Sequence, residues 1–204
     1  GFVALFNGKD LTGWKGLLKS PYDNPAERAK LTPEQLKELQ KEADENMRAH
    51  WKVVDGMLVF DGKGRSLCTA KDYGDFELEF EVKVANELNS GVQIRSKTKA
   101  PSPEKTKAKT KPKNEQPGRV YGPQVEIAAG GAGGSPSGYI YGEATGRGWL
   151  TPDDKRKSHP HFKSGEWNKY RVVAKGARIQ TWINGEAIDD LADDEAFKTH
   201  PKGF

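Results

Sequence analysis

Phe76-Glu77-Leu78-Glu79-Phe80-Glu81-Val82-Lys83-Val84 alternates apolar and charged side chains over nine positions. Successive side chains of an extended chain point to opposite faces, so this period of two predicts a strand with one face on a core and the other in water. Working outward, further short strands are predicted at 51–54, 57–60, 91–95, 124–127, 139–141, 169–174 and 178–183. Asp55-Gly56 and Asn184-Gly185 supply tight hairpin turns between such runs, because these residues tolerate positive φ. Many short strands without alternating helices predict an all-β sandwich of two antiparallel sheets rather than a βαβ fold.

One helix is expected within this pattern, over about 33–47. Thr32-Pro33-Glu34-Gln35 reads as an N-cap, a proline at the first helical position and a capping-box glutamine, with Leu31 and Leu36 placed as a staple. Leu36, Leu39, Ala43 and Met47 form a narrow apolar stripe on an otherwise charged helix. Such a helix is expected to dock on the sandwich surface and cover a sheet edge. The length of 204 residues suits one domain, 1–204, carrying insertions at about 18–50 and 97–118.

Composition excludes several classes of function. No run approaches the roughly 18 apolar residues of a membrane helix. The net charge of +4 is concentrated in residues 97–113, where seven lysines face the single acid Glu104, which leaves a net −2 elsewhere. This segment has no aromatic residue to stack on bases, and it reads as a surface loop rather than a nucleic-acid arm. Cys68 is the sole cysteine, which excludes an internal disulfide and a Cys-based zinc site. His159-Pro160-His161 offers two imidazoles, but it reads as a proline-containing surface loop, and no metal site is assigned. No cofactor is called for; a structural calcium ion is compatible with the fold class, although no residue pattern points to one.

The opening Phe6-Asn7-Gly8-Lys9-Asp10-Leu11-Thr12-Gly13-Trp14, Tyr73-Gly74-Asp75-Phe76, Asn89-Ser90-Gly91-Val92, Ser137-Gly138-Tyr139-Ile140-Tyr141-Gly142, Gly165-Glu166-Trp167-Asn168-Lys169-Tyr170 and Trp182-Ile183-Asn184-Gly185 resemble, in this order, the 3-keto-disaccharide hydrolase family. The resemblance implies a concanavalin A-like jelly roll, action on 3-keto-disaccharides or related glycans or binding of them, and a secreted or periplasmic setting. Gln124-Val125-Glu126 reverses the family's commoner Glu and Gln order. Lys202-Gly203-Phe204 looks like the start of a closing segment that continues in relatives through further strands.

Alternation brings candidate site residues together. In Gly91-Val92-Gln93-Ile94-Arg95 the apolar residues face the core, which puts Gln93 and Arg95 on the other face, and Gln124 and Glu126 alternate likewise with Val125 and Ile127. An amide, a guanidinium and a carboxylate on one surface suit a sugar, with Tyr121, Tyr141, Trp149 and Trp182 as stacking platforms. The alternative is a solvated face on which Arg95 pairs with Glu126. Glycoside hydrolysis needs two carboxyls, roughly 5 to 5.5 Å apart for retention or 6.5 to 9.5 Å for inversion, and Glu126 with Glu143 is the first pair to consider. A 3-keto sugar relaxes this requirement, because the ketone acidifies the neighbouring C–H and a single base can start an elimination, with Arg95 holding the enolate. The expectation is a glycosidase with a carbohydrate substrate; a non-catalytic carbohydrate-binding module and an adhesion domain using the Lys-rich loop stay open. The sequence assigns no protein partner.

Overall fold

The structure, a computed structural model, describes residues 1–19, 21–22, 28, 30–84, 88–98, 120–130 and 134–204. Most of the expected 97–118 insertion lies outside the described residues, as does the middle of the Gly130–Gly134 run. The chain forms two compact units, one of Gly1–Asp72, Thr98–Val120 and Phe204, the other of Tyr73–Lys97 and Tyr121–Gly203.

The first unit holds β1 (Trp14–Gly16), α1 (Pro33–His50), β2 (Trp51–Val54), β3 (Met57–Phe60) and β4 (Leu67–Thr69). The capping box forms as expected: Gln35 N–H donates to Thr32 Oγ1 at 3.2 Å, and Thr32 N–H to Gln35 Oε1 at 2.9 Å. The helix runs three residues beyond the expected end, and its stripe buries Ala43 and Met47. Among the described residues, β1 pairs with β4 on one side only. On the other side α1 completes it: Gly16 N–H donates to Asp44 Oδ1 at 2.9 Å, and Gln40 Nε2 donates to Gly16 O at 3.0 Å. The helix thus covers a strand edge, satisfying backbone groups that would otherwise be open. β2 and β3 form the expected hairpin through Asp55 and Gly56, both at positive φ.

The second unit holds β5 (Phe76–Val82), β6 (Asn89–Gln93), β8 (Val120–Ala128) from Tyr121 onward, β9 (Ile140–Glu143), β10 (Gly148–Trp149), β11 (Asn168–Lys175), β12 (Arg178–Ile183), β13 (Glu186–Ala192) and α2 (Asp194–Thr199); β7 (Lys97–Thr98), like β8, spans the boundary in sequence. One antiparallel sheet has the order β10-β9-β8-β6, with β7 also pairing β8, and the other the order β13-β12-β11-β5. Val125, Ile127 and Ile140 of the first sheet and Tyr170, Val172, Ile179 and Ile183 of the second join one buried cluster. This is the antiparallel β-sandwich that the alternation predicts. Phe76, Leu78, Phe80 and Val82 pack on that cluster, with Phe80 stacked on Tyr170 at 4.9 Å. Glu77 and Glu79 point outward to Arg171 and Lys169, so the acidic stripe is a solvated face crossed by ion pairs.

α2, which the sequence reading does not anticipate, is capped by Asp193 and ends at the buried His200. Burial, reinforced by the Lys97 ammonium, drops the pKa of His200 to about 4.

Two predictions follow from this packing. A Cβ on Gly16 would stand 2.0 Å from the Ala43 carbonyl oxygen, a backbone atom that cannot swing aside. Gly16→Ala is therefore expected to destabilise the first unit by about 2–3 kcal/mol, read as a lower urea midpoint. The second concerns acid. The folded state keeps His200 neutral while the unfolded chain protonates it near 6.5, so its share of stability is complete above pH 6.5 and declines towards about pH 4. At ~1.4 kcal/mol per pH unit the decline is about 3 kcal/mol. Denaturation at pH 7 and pH 4 should show a decline that is smaller by about this amount in His200→Gln than in the parent.

Candidate functional site

β8 lies between β6 and β9, and its register sets the site. Gln93 pairs with Gln124, Gln124 with Tyr141, and Tyr141 with Trp149, so four side chains form one row across four strands. Glu126, opposite Gly91, occupies the next row. The intervening Val92, Val125 and Ile140 turn into the core, which leaves this row on the sheet's other face. Tyr141 meets Trp149 edge-on at 5.2 Å.

Gly91 makes the row possible. A Cβ there would stand 2.4 Å from the Gln124 side-chain carbonyl carbon, so the glycine leaves space for Gln124 to lie across β6. From that position Gln124 Nε2 donates to Glu126 Oε2 at 3.0 Å, and Asn89 Nδ2 donates to Glu126 Oε1 at 2.5 Å. Each carboxylate oxygen thus has its own amide donor. Glu126 is only 5% exposed. Burial pushes its carboxyl above the ordinary carboxylate range; the Gln124 and Asn89 hydrogen bonds oppose that shift, and the charge of Glu143 adds to it.

Glu143 pairs with Gly122, four residues from Glu126 on β8. At ~3.4 Å per residue the Cα positions of the two acids are offset by about 14 Å along the strand direction, and the Glu143 charge still reaches Glu126. Asn89 pairs with Ala128, on the far side of Glu126 from Gly122, and Gln124 stands on the near side, so the carboxylate is held from both directions along β8. Of the expected site residues, the structure brings Gln93, Gln124, Glu126, Tyr141 and Trp149 together, with Glu143 at the rim.

Three expected residues lie elsewhere. Arg95 is not beside Gln93. β6 ends at Gln93, and Arg95 takes a φ of +51°, which breaks the alternation that the expectation relied on. Its guanidinium is buried: Nε donates to Gly74 O and Nη1 to Gly176 O, both at 2.7 Å, while Nη2 meets Asp75 at 3.0 Å. It fastens the entry to β5 to the β11–β12 turn, so neither the enolate-holding role nor a pair with Glu126 applies. Tyr121 has the parity of Val125, not of Gln124, and meets His200 edge-on at 4.7 Å. Trp182 belongs to the other sheet, on its outer face, under the Arg171 guanidinium at 4.4 Å.

Two residues that the sequence reading passed over belong to the face. Asn89 lies in the quoted Asn89-Ser90-Gly91-Val92 segment, and its two-residue spacing from Gly91 was the available signal. Tyr139, two residues before Tyr141, donates from its hydroxyl to Lys157 O at 2.8 Å. His159 packs edge-on against Tyr139. Its Nε2 faces Ser137 O at 2.8 Å and its Nδ1 accepts from His161 N–H at 3.3 Å, so both nitrogens serve the loop. Burial holds it below the usual histidine range.

A family model described as a 3-keto-alpha-glucoside-1,2-lyase-like domain matches residues 1–204. The chain belongs to this family. Among solved structures it is similar to one from Parabacteroides distasonis named "putative glycosyl hydrolase", with a TM-score of 0.54 and 22% identity over 98% of this chain and 83% of that one. Another structure of the same name and organism matches with a TM-score of 0.42 and 24% identity, over 88% of this chain and 72% of that one. At such identity the first likeness speaks for the sandwich fold alone. No curated protein matches the chain.

The amide clamp on this family member's carboxylate can be tested directly. Both hydrogen bonds favour the ionised form, so Asn89→Ala is expected to raise the Glu126 titration midpoint above its already elevated parent value. A carboxyl-carbon NMR titration reads the shift; an unchanged or lowered midpoint would count against the clamp.

Proposed function

We propose that the chain cleaves 3-keto-glucosides by elimination, with Glu126 as the base. The observation that carries this reading is a buried carboxylate, held by one amide on each oxygen, beside a row of sugar-compatible side chains. Hydrolysis of an ordinary glycoside calls on two carboxyls across the scissile bond. Elimination calls on one base, and the family's description, a 1,2-lyase-like domain for 3-keto-alpha-glucosides, accords with that economy.

In the reaction, Glu126 removes the proton from C2, which the C3 ketone acidifies. The C2–H electron pair becomes the C1=C2 double bond as the C1–O bond breaks. The departing oxygen leaves as an alcohol after taking a proton from the newly protonated Glu126 or from solvent. Negative charge develops on the C3 oxygen, and a hydrogen-bond donor aimed there lowers the barrier. Gln93 suits this role in place of Arg95: its Oε1 accepts from Ser96 Oγ at 3.2 Å, and its amide N–H groups are the donors of the side chain. Tyr141 and Trp149 supply the apolar surface for the sugar's C–H faces.

The test is turnover of a 3-keto-disaccharide and of its unoxidised parent, followed by enone absorbance and release of the second sugar. The oxidised sugar alone should react, with a primary isotope effect from deuterium at C2. Glu126→Gln is expected to lower kcat by about 10²–10⁴-fold while sugar binding persists. Binding without turnover of either sugar by the parent protein would make the chain a carbohydrate-binding module instead.

A further inference from the structure

The face that carries Glu126 continues past Tyr141. Trp149 stands next in the row, and the turn that follows β10 folds back over it. Lys155 and Arg156 N–H both donate to Pro152 O, at 3.1 and 3.0 Å, and Arg156 is ion-paired to Asp153. The turn is pinned to the sheet at Tyr139, whose hydroxyl also accepts from Lys157 N–H at 3.1 Å. This anchoring sets the Arg156 guanidinium over the Trp149 ring, 4.5 Å from its centroid.

At ~4.8 Å between neighbouring strands, Trp149 stands two strands, about 10 Å, from Gln124. That separation suits a second sugar ring beside one placed over Glu126. The charge that acts on Glu126 is that of Glu143, so Arg156 is not part of the carboxylate's own setting. The Arg156 side chain is 24% exposed, and its guanidinium has five N–H donors, of which the Asp153 pair engages Nη2, so the fork keeps donor capacity for a ligand hydroxyl. Asp153, whose side chain is 90% exposed, retains acceptor capacity facing water.

We propose that Trp149, Arg156 and Asp153 form a second subsite, which holds the leaving group of the glycoside and selects a neutral sugar there. This inference rests on the elimination reading for its substrate, and it adds a determinant of specificity remote from the base. The part of the indole that the guanidinium leaves uncovered packs on the sugar's C–H groups, the guanidinium donates to its hydroxyls and the carboxylate accepts from them. The pair is neutral as a whole, and the exposed Asp153 carboxylate repels an acidic sugar. An isolated cation would favour a uronate instead.

The experiment compares kcat/KM for methyl 3-keto-α-glucoside, a 3-keto-disaccharide with a neutral second sugar and one with a uronate there. The parent should prefer the neutral disaccharide over both others. Arg156→Ala should reduce its preference for the neutral disaccharide over the methyl glycoside by about 10- to 100-fold, and Arg156→Lys, which keeps the charge but loses the fork, should recover only part of it. A preference ratio unchanged in Arg156→Ala, or a parent that favours the uronate, overturns the subsite. Calorimetry with the same three sugars on Glu126→Gln protein reads the subsite without turnover. Arg156-dependent binding of the neutral disaccharide, with no turnover of any sugar by the parent, would sink the elimination reading and leave the subsite standing; binding indifferent to Arg156 would sink the subsite.

Discussion

The carboxylate of Glu126 is held between two opposing effects. Burial beside β6 and β9 disfavours its charge, and one amide hydrogen bond to each oxygen, from Asn89 and Gln124, favours it. Neither amide would reach the carboxylate without its own fixed position. Gln124 gets across β6 only because residue 91 lacks a Cβ, and Asn89 faces the carboxylate only because β6 and β8 are in register from Asn89 opposite Ala128 to Gln93 opposite Gln124. The chemistry of the face is therefore a consequence of strand register.

That register is enforced from the other side of the sheet. Val125 and Ile140 are wholly buried, and Ile127 nearly so. A slip of one residue in β8 would turn Val125 and Ile127 outward and bury Gln124 and Glu126 in the sandwich, losing roughly 2 kcal/mol or more per apolar side chain. The apolar residues that face the second sheet thus hold the polar row in place without touching it. This division explains why so few residues of the face need hydrophobic support of their own.

The same logic marks what could be read in advance. The nine-residue alternation around Phe80, the Asp55-Gly56 and Asn184-Gly185 turns and the Thr32 capping box are local patterns, and each appears in the fold as its local physics requires. Gln93, Gln124, Glu126, Tyr141 and Trp149 were legible because strand alternation carries through them. Arg95 was not, since a single positive φ after Gln93 ends the period, and only the surroundings of a buried guanidinium reveal why a non-glycine residue stays there. Trp182 shows a different limit: alternation tells which face of a strand a residue occupies, not which sheet the strand joins. Arg156 was silent because it sits in a turn with no period, and its place over Trp149 depends on the remote anchor at Tyr139.

A base that must remove a carbon-bound proton meets two conflicting demands. It should have a high pKa, so that it holds the proton well, and it should be ionised at the working pH. Burial alone answers the first demand and defeats the second, since a carboxyl in an apolar setting keeps its proton. The amide pair moderates the shift, and because amides carry no net charge they add no cation that would pull the pKa far down, as an arginine partner would. Placing Arg95 elsewhere in the fold is then an advantage for the proposed reaction. A guanidinium beside Glu126 would make it a weaker base, whereas two amides leave it raised and oriented.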